Sequence, residues 1–531
     1  MSNIINSVLL FGEVLTAIIY IRSILDLNDL FSNVRWLLKK DKTYKQKMRQ
    51  ENKENFIICI PMLREQRVAA DTLNYFSKLD YPKNKYKIIV VTTSKETADK
   101  KTNSYKLQRL SSSIAEGRNI DFIKEQYLGI LPSYLLESFY KSYKLKDKKK
   151  VLSELKRTYL ELPTTFELAN KIAKIINLKL GKKLISVMNY PHIEGVMSHQ
   201  INHVVKELNK NKENKNSIFA VYNADSRPNL NTLKYVSLTL SDYESRTGTK
   251  PNIVQQSSLF TLNYNKYPKT ISGYILRSAS LFQTRWTMIR ELSRFRSQSE
   301  HVIKYSNNLI SKFINTRISH CVGHGLFVRF GLLANEYLPT ETINEDLPFG
   351  YYQCCKGEPI LPLSILENSE TPETIKGLIR QKRFWFTPYL QYLKCRERVL
   401  SLGKYRSKME VEILTTQAEF TGFVWLVQSF VLFTPLLVAI IFENLLLLTF
   451  WLGAICLYWF ISIAFIYVQL DKLEKIAGKS TTKKSLMDYL LISFSGLFIL
   501  ATHSIGPVLC IRDFLLESFF EKPIVKLKTE R

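Results

Sequence analysis

The longest uncharged runs of this chain lie near its two ends, while the middle is cut into short apolar segments and helical stretches. Phe420 to Phe442 is 23 residues without a charge. As a helix it is about 35 Å long, enough to cross a hydrocarbon core of about 30 Å. Glu443-Asn444 predicts a tight turn, and a second span follows from Leu445 to Val468. A third uncharged stretch, Tyr489–Ile511, is interrupted by His503 and Gly506-Pro507. A re-entrant or interfacial segment bent there would keep the tail, with Lys522, Lys526, Lys528 and Arg531, inside. At the N-terminus, Ile4–Ile21 is a weaker span that carries Glu13 and is closed by Arg22. Glu13 reads either as a protonated or snorkelling acid or as a functional intramembrane carboxylate. No small-residue cleavage site follows, so this span reads as a retained anchor. Residues 23–50 put Ile24, Leu27, Leu30, Phe31, Val34 and Leu38 at helical spacing, as an interfacial helix does.

The middle of the chain predicts an α/β sheet. Phe56–Ile60 is a short apolar run ended by Pro61. A helical stretch follows through Leu79, then a turn at Tyr81-Pro82 and a second strand, Tyr86–Thr92. Strand–helix–strand at this spacing is a βαβ unit. Residues 95–183 read as Lys-rich amphipathic helix, with Lys146–Lys150 as a solvated face or loop. Two more strands, Leu184–Met188 and Ile218–Tyr222, lead into Tyr190-Pro191 and Asn223-Ala224-Asp225-Ser226-Arg227-Pro228.

Charge orients the chain. Its 531 residues hold 75 Lys and Arg against 47 acids, a net of +28. A surplus this large suits anionic partners: nucleic acid, anionic headgroups or a phosphorylated substrate. No recognised nucleic-acid module accompanies it, so nucleic acid is not an expected partner. Arg22, Arg35, Lys39 and Lys40 follow the first span, and Arg406 and Lys408 precede the next. Lys472, Lys475, Lys479, Lys483 and Lys484 fill the loop after the Leu445–Val468 span. Basic flanks stay inside, which makes the middle region cytoplasmic and the protein integral to the inner (plasma) membrane. The seven cysteines form no C-x-x-C pair and are odd in number. That argues against a disulfide framework or a zinc ribbon and fits a reducing compartment.

Four places carry candidate chemistry. Asp225 follows an apolar strand, where sheet ends meet ligands in α/β folds. A carboxylate there suits Mg²⁺ or Mn²⁺ against a diphosphate, or simply opens an Asx turn before Arg227-Pro228. Glu345-Asp346, between Pro339 and Pro348, reads as a loop that offers a general base or as an exposed acidic turn. Arg380-Gln381-Lys382-Arg383-Phe384-Trp385-Phe386 joins guanidinium forks for phosphate to an indole for stacking on a sugar, or is a basic-aromatic juxtamembrane helix. Gly323-His324-Gly325 leaves room for a ligand to approach the imidazole. His199 and His203 lie four apart but lack a third ligand in the sequence nearby.

In this order the pieces resemble the membrane-bound family-2 glycosyltransferases, the group that includes cellulose and hyaluronan synthases. The resemblance covers roughly residues 55–400. Pro61-Met62-Leu63-Arg64-Glu65 looks like the family's first strand-end motif, which implies that Pro61 and Glu65 help hold the nucleotide. Gly195 to Asn202 looks like the glycine-to-asparagine helix, with Met197 where a lysine is common, and implies Gln200 and Asn202 as substrate-binding. Asn223-Ala224-Asp225 looks like the D-x-D metal motif with Asn223 for its first acid. Glu345-Asp346-Leu347 looks like the motif of the catalytic base, which implies Asp346 in that role beside Glu345. Arg380, Arg383 and Phe384 resemble the Q-x-x-R-W motif, with Trp385 one place late. The resemblance makes Arg383 catalytic and places Arg380 and Trp385 against substrate, while the glycines on either side make His324 a further substrate-binding candidate. Lys528-Thr529-Glu530-Arg531 matches a frequent ending of the group. The family's acidic pair after the second strand is replaced by Thr92-Thr93-Ser94, and residues 95–183 exceed the family segment.

The fold implied is α/β, a nucleotide-sugar-binding GT-A-type domain with N-terminal and C-terminal membrane helices. The expected division is an anchor at 1–25, an interfacial helix and linker at 26–54, a catalytic domain at 55–400 with a helical insertion at 95–183, and a membrane module at 401–531. The expected activity is inverting transfer from a nucleotide-sugar donor to a glycan or lipid-linked acceptor. It would use Mg²⁺ or Mn²⁺ at the cytoplasmic face, in contact with membrane lipids, in cell-surface polysaccharide synthesis. The alternative is a catalytically inactive transferase-like scaffold with polysaccharide export partners.

Overall fold

A computed structural model describes residues 2–47, 53–120, 122–123, 133–142, 148–210, 214–342, 344–479, 481–482 and 484–520. Lys146, Asp147, Lys483 and the tail with Lys522, Lys526 and Lys528-Thr529-Glu530-Arg531 lie outside these residues.

The strands in chain order are β1 Phe56–Pro61, β2 Tyr86–Thr93, β3 Ile185–Tyr190, β4 Ile218–Val221, β5 Arg227–Pro228, β6 Ile253–Gln255, β7 Ser258–Leu259, β8 Leu326–Arg329, β9 Ile360–Pro362 and β10 Glu367–Asn368. Among the described residues, seven of them form one sheet in the order β3-β2-β1-β4-β8-β6-β9. Strands β1 to β4 run parallel, β8 is antiparallel to β4 and β6, and β9 is parallel to β6. Strands β5, β10 and β7 make a small second sheet.

Strands this uninterrupted in apolar residues are buried on both faces. Phe56, Ile58 and Ile60 of β1 face one core, shared with Leu30, Val34 and Leu37 of the N-terminal helix and with Trp459 and Ile463 of the membrane-length helices. Ile57 and Cys59 face the other, with Ile201, Val204, Phe349, Tyr351 and Val411. The expected α/β sheet with long apolar helices at both ends is therefore observed. Between 95 and 183 the described residues are mostly helical, and the helices Ser104–Ala115 and Lys148–Glu161 bury Leu107, Leu110, Val151 and Leu155 in a small core of their own.

Among the described residues four helices are long and apolar enough to cross a membrane: Asn3–Lys47, Lys408–Ile441, Leu445–Ile476 and Leu486–Phe519. The first runs through the expected boundary between anchor and interfacial helix, because Ser2–Lys47 is one continuous helix. No proline or glycine lies between Leu25 and Lys47 to break it. The last bends at Thr502–Ser504, between Leu486–Ala501 and Ile505–Phe520, rather than at Gly506-Pro507. Pro507 sits in the first turn of the second piece, where no intrahelical N–H is needed.

Candidate functional site

Topology brings the candidate residues to one edge. The C-terminal ends of β1, β2, β3 and β4 lead to Pro61–Glu65, Thr92–Ser94, Tyr190 and Asn223–Asp225, all at the same end of the sheet. Because β8 runs the other way, the Gly323-His324-Gly325 segment that precedes it reaches that end too. Ligands bind beyond the carboxyl ends of strands in sheets of this kind.

His324 is the centre of the site. Its Nδ1 lies 3.1 Å from Glu367 Oε2 and 3.4 Å from Ser258 Oγ. The backbone around it is pinned by Gln255, whose amide donates to His324 O at 2.9 Å and accepts from Val322 N–H at 3.0 Å. Gly325 is needed, and Gly323 is closely approached. A Cβ on Gly325, at φ +61°, would sit 2.8 Å from Gln256 Cβ, and one on Gly323 would sit 3.3 Å from Asp346 Oδ2. The close approach at Gly323 is to the candidate base itself, and Met197 touches the same spot. Burial opposes a charge on His324, but the charge and hydrogen bond of Glu367, with Glu291 and Asp225, outweigh it and lift the pKa to about 9. The ring is thus a cation at neutral pH.

Asp346 is not in a loop. It opens the helix Asp346–Lys356 with Glu345 as the N-cap, and Pro348 lies inside the first turn. Its Oδ1 accepts from the Leu347 N–H at 2.9 Å. Burial raises the pKa of this carboxyl, against the lowering effect of the Leu347 and Gly323 N–H groups and the His324 charge. A carboxylate of raised basicity suits a general base. Glu345 is buried beside it. Asn344 donates to the carbonyl of Phe384 at 3.4 Å, so this segment borders the basic-aromatic helix Ile375–Phe386.

The other expected residues divide. Pro61 ends β1 and Glu65 lies in the turn after it, its N–H donating to Thr165 Oγ1 at 3.0 Å. Asn223 donates its N–H to Ser226 Oγ at 3.1 Å, which sets the turn that carries the partly exposed Asp225. Gln200 is buried on the Met197–Asn209 helix. Asn202, on the same helix, donates to the Leu338 carbonyl and accepts from the Leu338 N–H, at 2.9 Å each, and so holds the chain before Pro339. Arg380 is partly exposed on the Ile375–Phe386 helix. Trp385, half exposed, lies 6.4 Å from the Phe260 ring. Arg383 makes an ion pair with Asp513 on the Ile505–Phe520 helix, so its charge is already engaged. The hydroxyls of Thr92 and Thr93, where the family's acids would stand, bond Asn189 and the His192 carbonyl.

Two acids of the cluster were not singled out from the sequence. Glu367 obeys the same rule as Asp225, an acid closing the apolar run Ile365-Leu366, and that signal was available. Glu291 sits in a π-helical turn, Thr287–Glu291, which no sequence pattern announces. Among the described residues no group of three His, Cys, Asp or Glu could hold a metal ion alone. Asp225 by itself remains compatible with a hard cation of the Mg²⁺ kind, which keeps waters and takes substrate phosphates alongside one or two carboxylates.

No protein-family model matches the chain, and no curated protein does. Among solved structures it is similar to the mannosyltransferase PcManGT from Pyrobaculum calidifontis in complex with GDP-Man and Mn²⁺. The identity is 10% and the TM-score 0.37, over 94% of this chain and 99% of that one. It is also similar to S. aureus TarS 1-349, at 11% identity and TM-score 0.31 over 86% and 91% of the two chains. For TarS 1-349 in complex with UDP-GlcNAc the values are 11% and 0.30 over 83% and 90%. Identity and TM-score this low leave the chemistry to be read from this chain's own residues.

Proposed function

We propose that this chain is an inverting glycosyltransferase of the GT-A type, with residues 55–400 as a cytoplasmic catalytic body and 401–531 as a module in the plasma membrane. It moves a sugar from a nucleotide-sugar donor to a glycan or lipid-linked acceptor in cell-surface polysaccharide synthesis. The observation that supports this is Asp346: a carboxylate of raised basicity at a helix start, next to a histidinium that also feels Asp225.

Asp346 takes the proton of the acceptor hydroxyl as that oxygen attacks the anomeric carbon and the nucleoside diphosphate departs from the opposite face. One displacement inverts the configuration. Asp225 would hold Mg²⁺ or Mn²⁺ against the diphosphate. A divalent cation there offsets the charge that builds on the leaving group. His324, held by Glu367, is a fixed positive charge in the site, whereas Arg383 reaches the diphosphate only after parting from Asp513. Trp385 and Arg380 bound the substrate side.

The test is turnover of a panel of nucleotide sugars by the purified full chain with Mg²⁺ or Mn²⁺. Wild type should hydrolyse or transfer at least one donor. Asp225→Ala should lose that turnover while keeping its thermal transition. Normal turnover by that variant in the presence of a chelator would end the metal role. Asn223 in place of an acid and the paired Arg383 favour a second reading, an inactive scaffold of a polysaccharide export complex. Absence of turnover across the whole panel would favour the scaffold.

A further inference from the structure

One short helix, Leu309–Asn315, is amphipathic the wrong way round for water. Its apolar residues face outward: Leu309 is 70% exposed, Ile310 73%, Phe313 66% and Ile314 48%. At 100° per residue these four positions share one arc of about 140°. The polar side faces inward. Ser311 is buried and accepts hydrogen bonds from the Ser306 N–H and from Asn315. Asn308 caps the helix by accepting from the Ser311 N–H at 2.6 Å. The outward orientation is therefore fixed by hydrogen bonds, and an exposed apolar face of this kind needs a cover.

The neighbouring chain says what the cover is. Gln417 donates to the carbonyl of Thr316 at 3.0 Å and accepts from the Ile318 N–H at 2.9 Å. Gln417 lies on the Lys408–Ile441 helix, three residues before the charge-free stretch that begins at Phe420. Three residues are about 4.5 Å along a helix axis. The inverted helix is thus clamped at the level where the span enters hydrocarbon. Lys304 and Arg317 flank it and Lys312 lies on it, as basic residues do at a headgroup layer.

We propose that the Leu309–Asn315 helix seats its Leu309, Ile310, Phe313 and Ile314 face in the headgroup–acyl boundary of the membrane that the Lys408–Ile441 helix crosses. This rests on the reading of Lys408–Ile441 as a span. The same chain runs on from Thr316 to His324, so the lipid seat fixes the height of the catalytic edge above the membrane.

The experiment places the photocrosslinker benzoylphenylalanine at Phe313, and in a second protein at Phe430, which is 61% exposed on the Lys408–Ile441 helix. Both full-length proteins are reconstituted in vesicles of phosphatidylcholine and phosphatidylglycerol, irradiated and analysed by mass spectrometry. Lipid adducts at both positions are expected. An adduct at Phe430 with none at Phe313 overturns the seat alone. A crosslink from Phe313 to a second copy of the chain also overturns it, in favour of a protein interface. No adduct at Phe430 sinks the span itself, and the seat with it.

Discussion

Two clusters of charge sit inside this molecule and follow opposite rules. Asp26, fully buried on the N-terminal helix, is closed upon by Arg22 at 3.1 Å, Arg285 at 3.0 Å and Arg290. It welds that helix to Ile271–Trp286 and the π-helical turn after it. Around His324 the balance is inverted, with the histidinium among Glu367, Glu291, Asp225 and Asp346 and Arg294 acting on Glu291. Of these acids, Glu367 bonds the imidazole directly. Asp225 and Asp346 both stay partly exposed. A cluster whose central acid, Asp26, is fully enclosed by its cations, with Asp29 beside them, has little to present to a ligand. A cluster with surplus, partly exposed carboxylates, of which Asp346 has raised basicity, does, and that is where function is sought.

If the second cluster is the working one, the largest effect belongs to Asp346→Asn. The amide keeps size and hydrogen bonding but cannot take a proton. Transfer rate should fall by about 10²–10⁴-fold, with donor affinity by calorimetry nearly unchanged. Transfer within a few-fold of wild type would remove Asp346 from the mechanism. The first cluster should respond in stability instead. Asp26→Ala leaves three guanidiniums facing one another. Burial already lowers the pKa of Arg290 to about 10, while Asp26 works to keep it charged. Removing one partner of a buried ion pair costs about 3–5 kcal/mol. Arg22 and Arg290 are partly exposed, so the lower end, about 3 kcal/mol, is expected from denaturant unfolding in detergent. An unchanged midpoint with lost turnover would mean that the two clusters had been assigned the wrong way round.

The sheet was legible because β1 is an uninterrupted apolar run and β2 is apolar from Ile88 to Val91, with turn residues between them, and the long helices because length alone announces them. Asp225 was legible as a strand-end acid, whereas Asp346, expected in a loop, opens a helix. What they meet was not legible. The partner of His324 is 43 residues away, and Arg383 meets an acid on the last described helix. Such pairs depend on which elements the fold brings together, and local pattern carries no record of that. The N-terminal helix misled for a related reason. Its change from apolar to basic composition reads as a boundary, yet a helix ends only where backbone groups find other partners, and none intervene before Lys47.

The smallest effect is also the most diagnostic of the His324 cluster. Asp346 works only when ionised, so rate should fall as pH drops through a value above the ordinary carboxyl 3.8. His324 helps only when protonated, so rate should fall again as pH rises through about 9. Its charge adds stability that is complete below the ordinary imidazole value of 6.5 and lost as pH passes about 9. His324→Gln should therefore lower the rate at neutral pH by several-fold, abolish the alkaline limb and, because the His324 charge holds the Asp346 pKa down, move the acidic limb to higher pH. Glu367→Gln keeps the imidazole but removes the charge that sustains it, and should move the alkaline limb to lower pH. A histidine with a purely structural role would change rate or stability without moving either limb. A pH profile of kcat/KM for the three proteins decides it: an alkaline limb that persists unmoved in both variants takes His324 out of the chemistry.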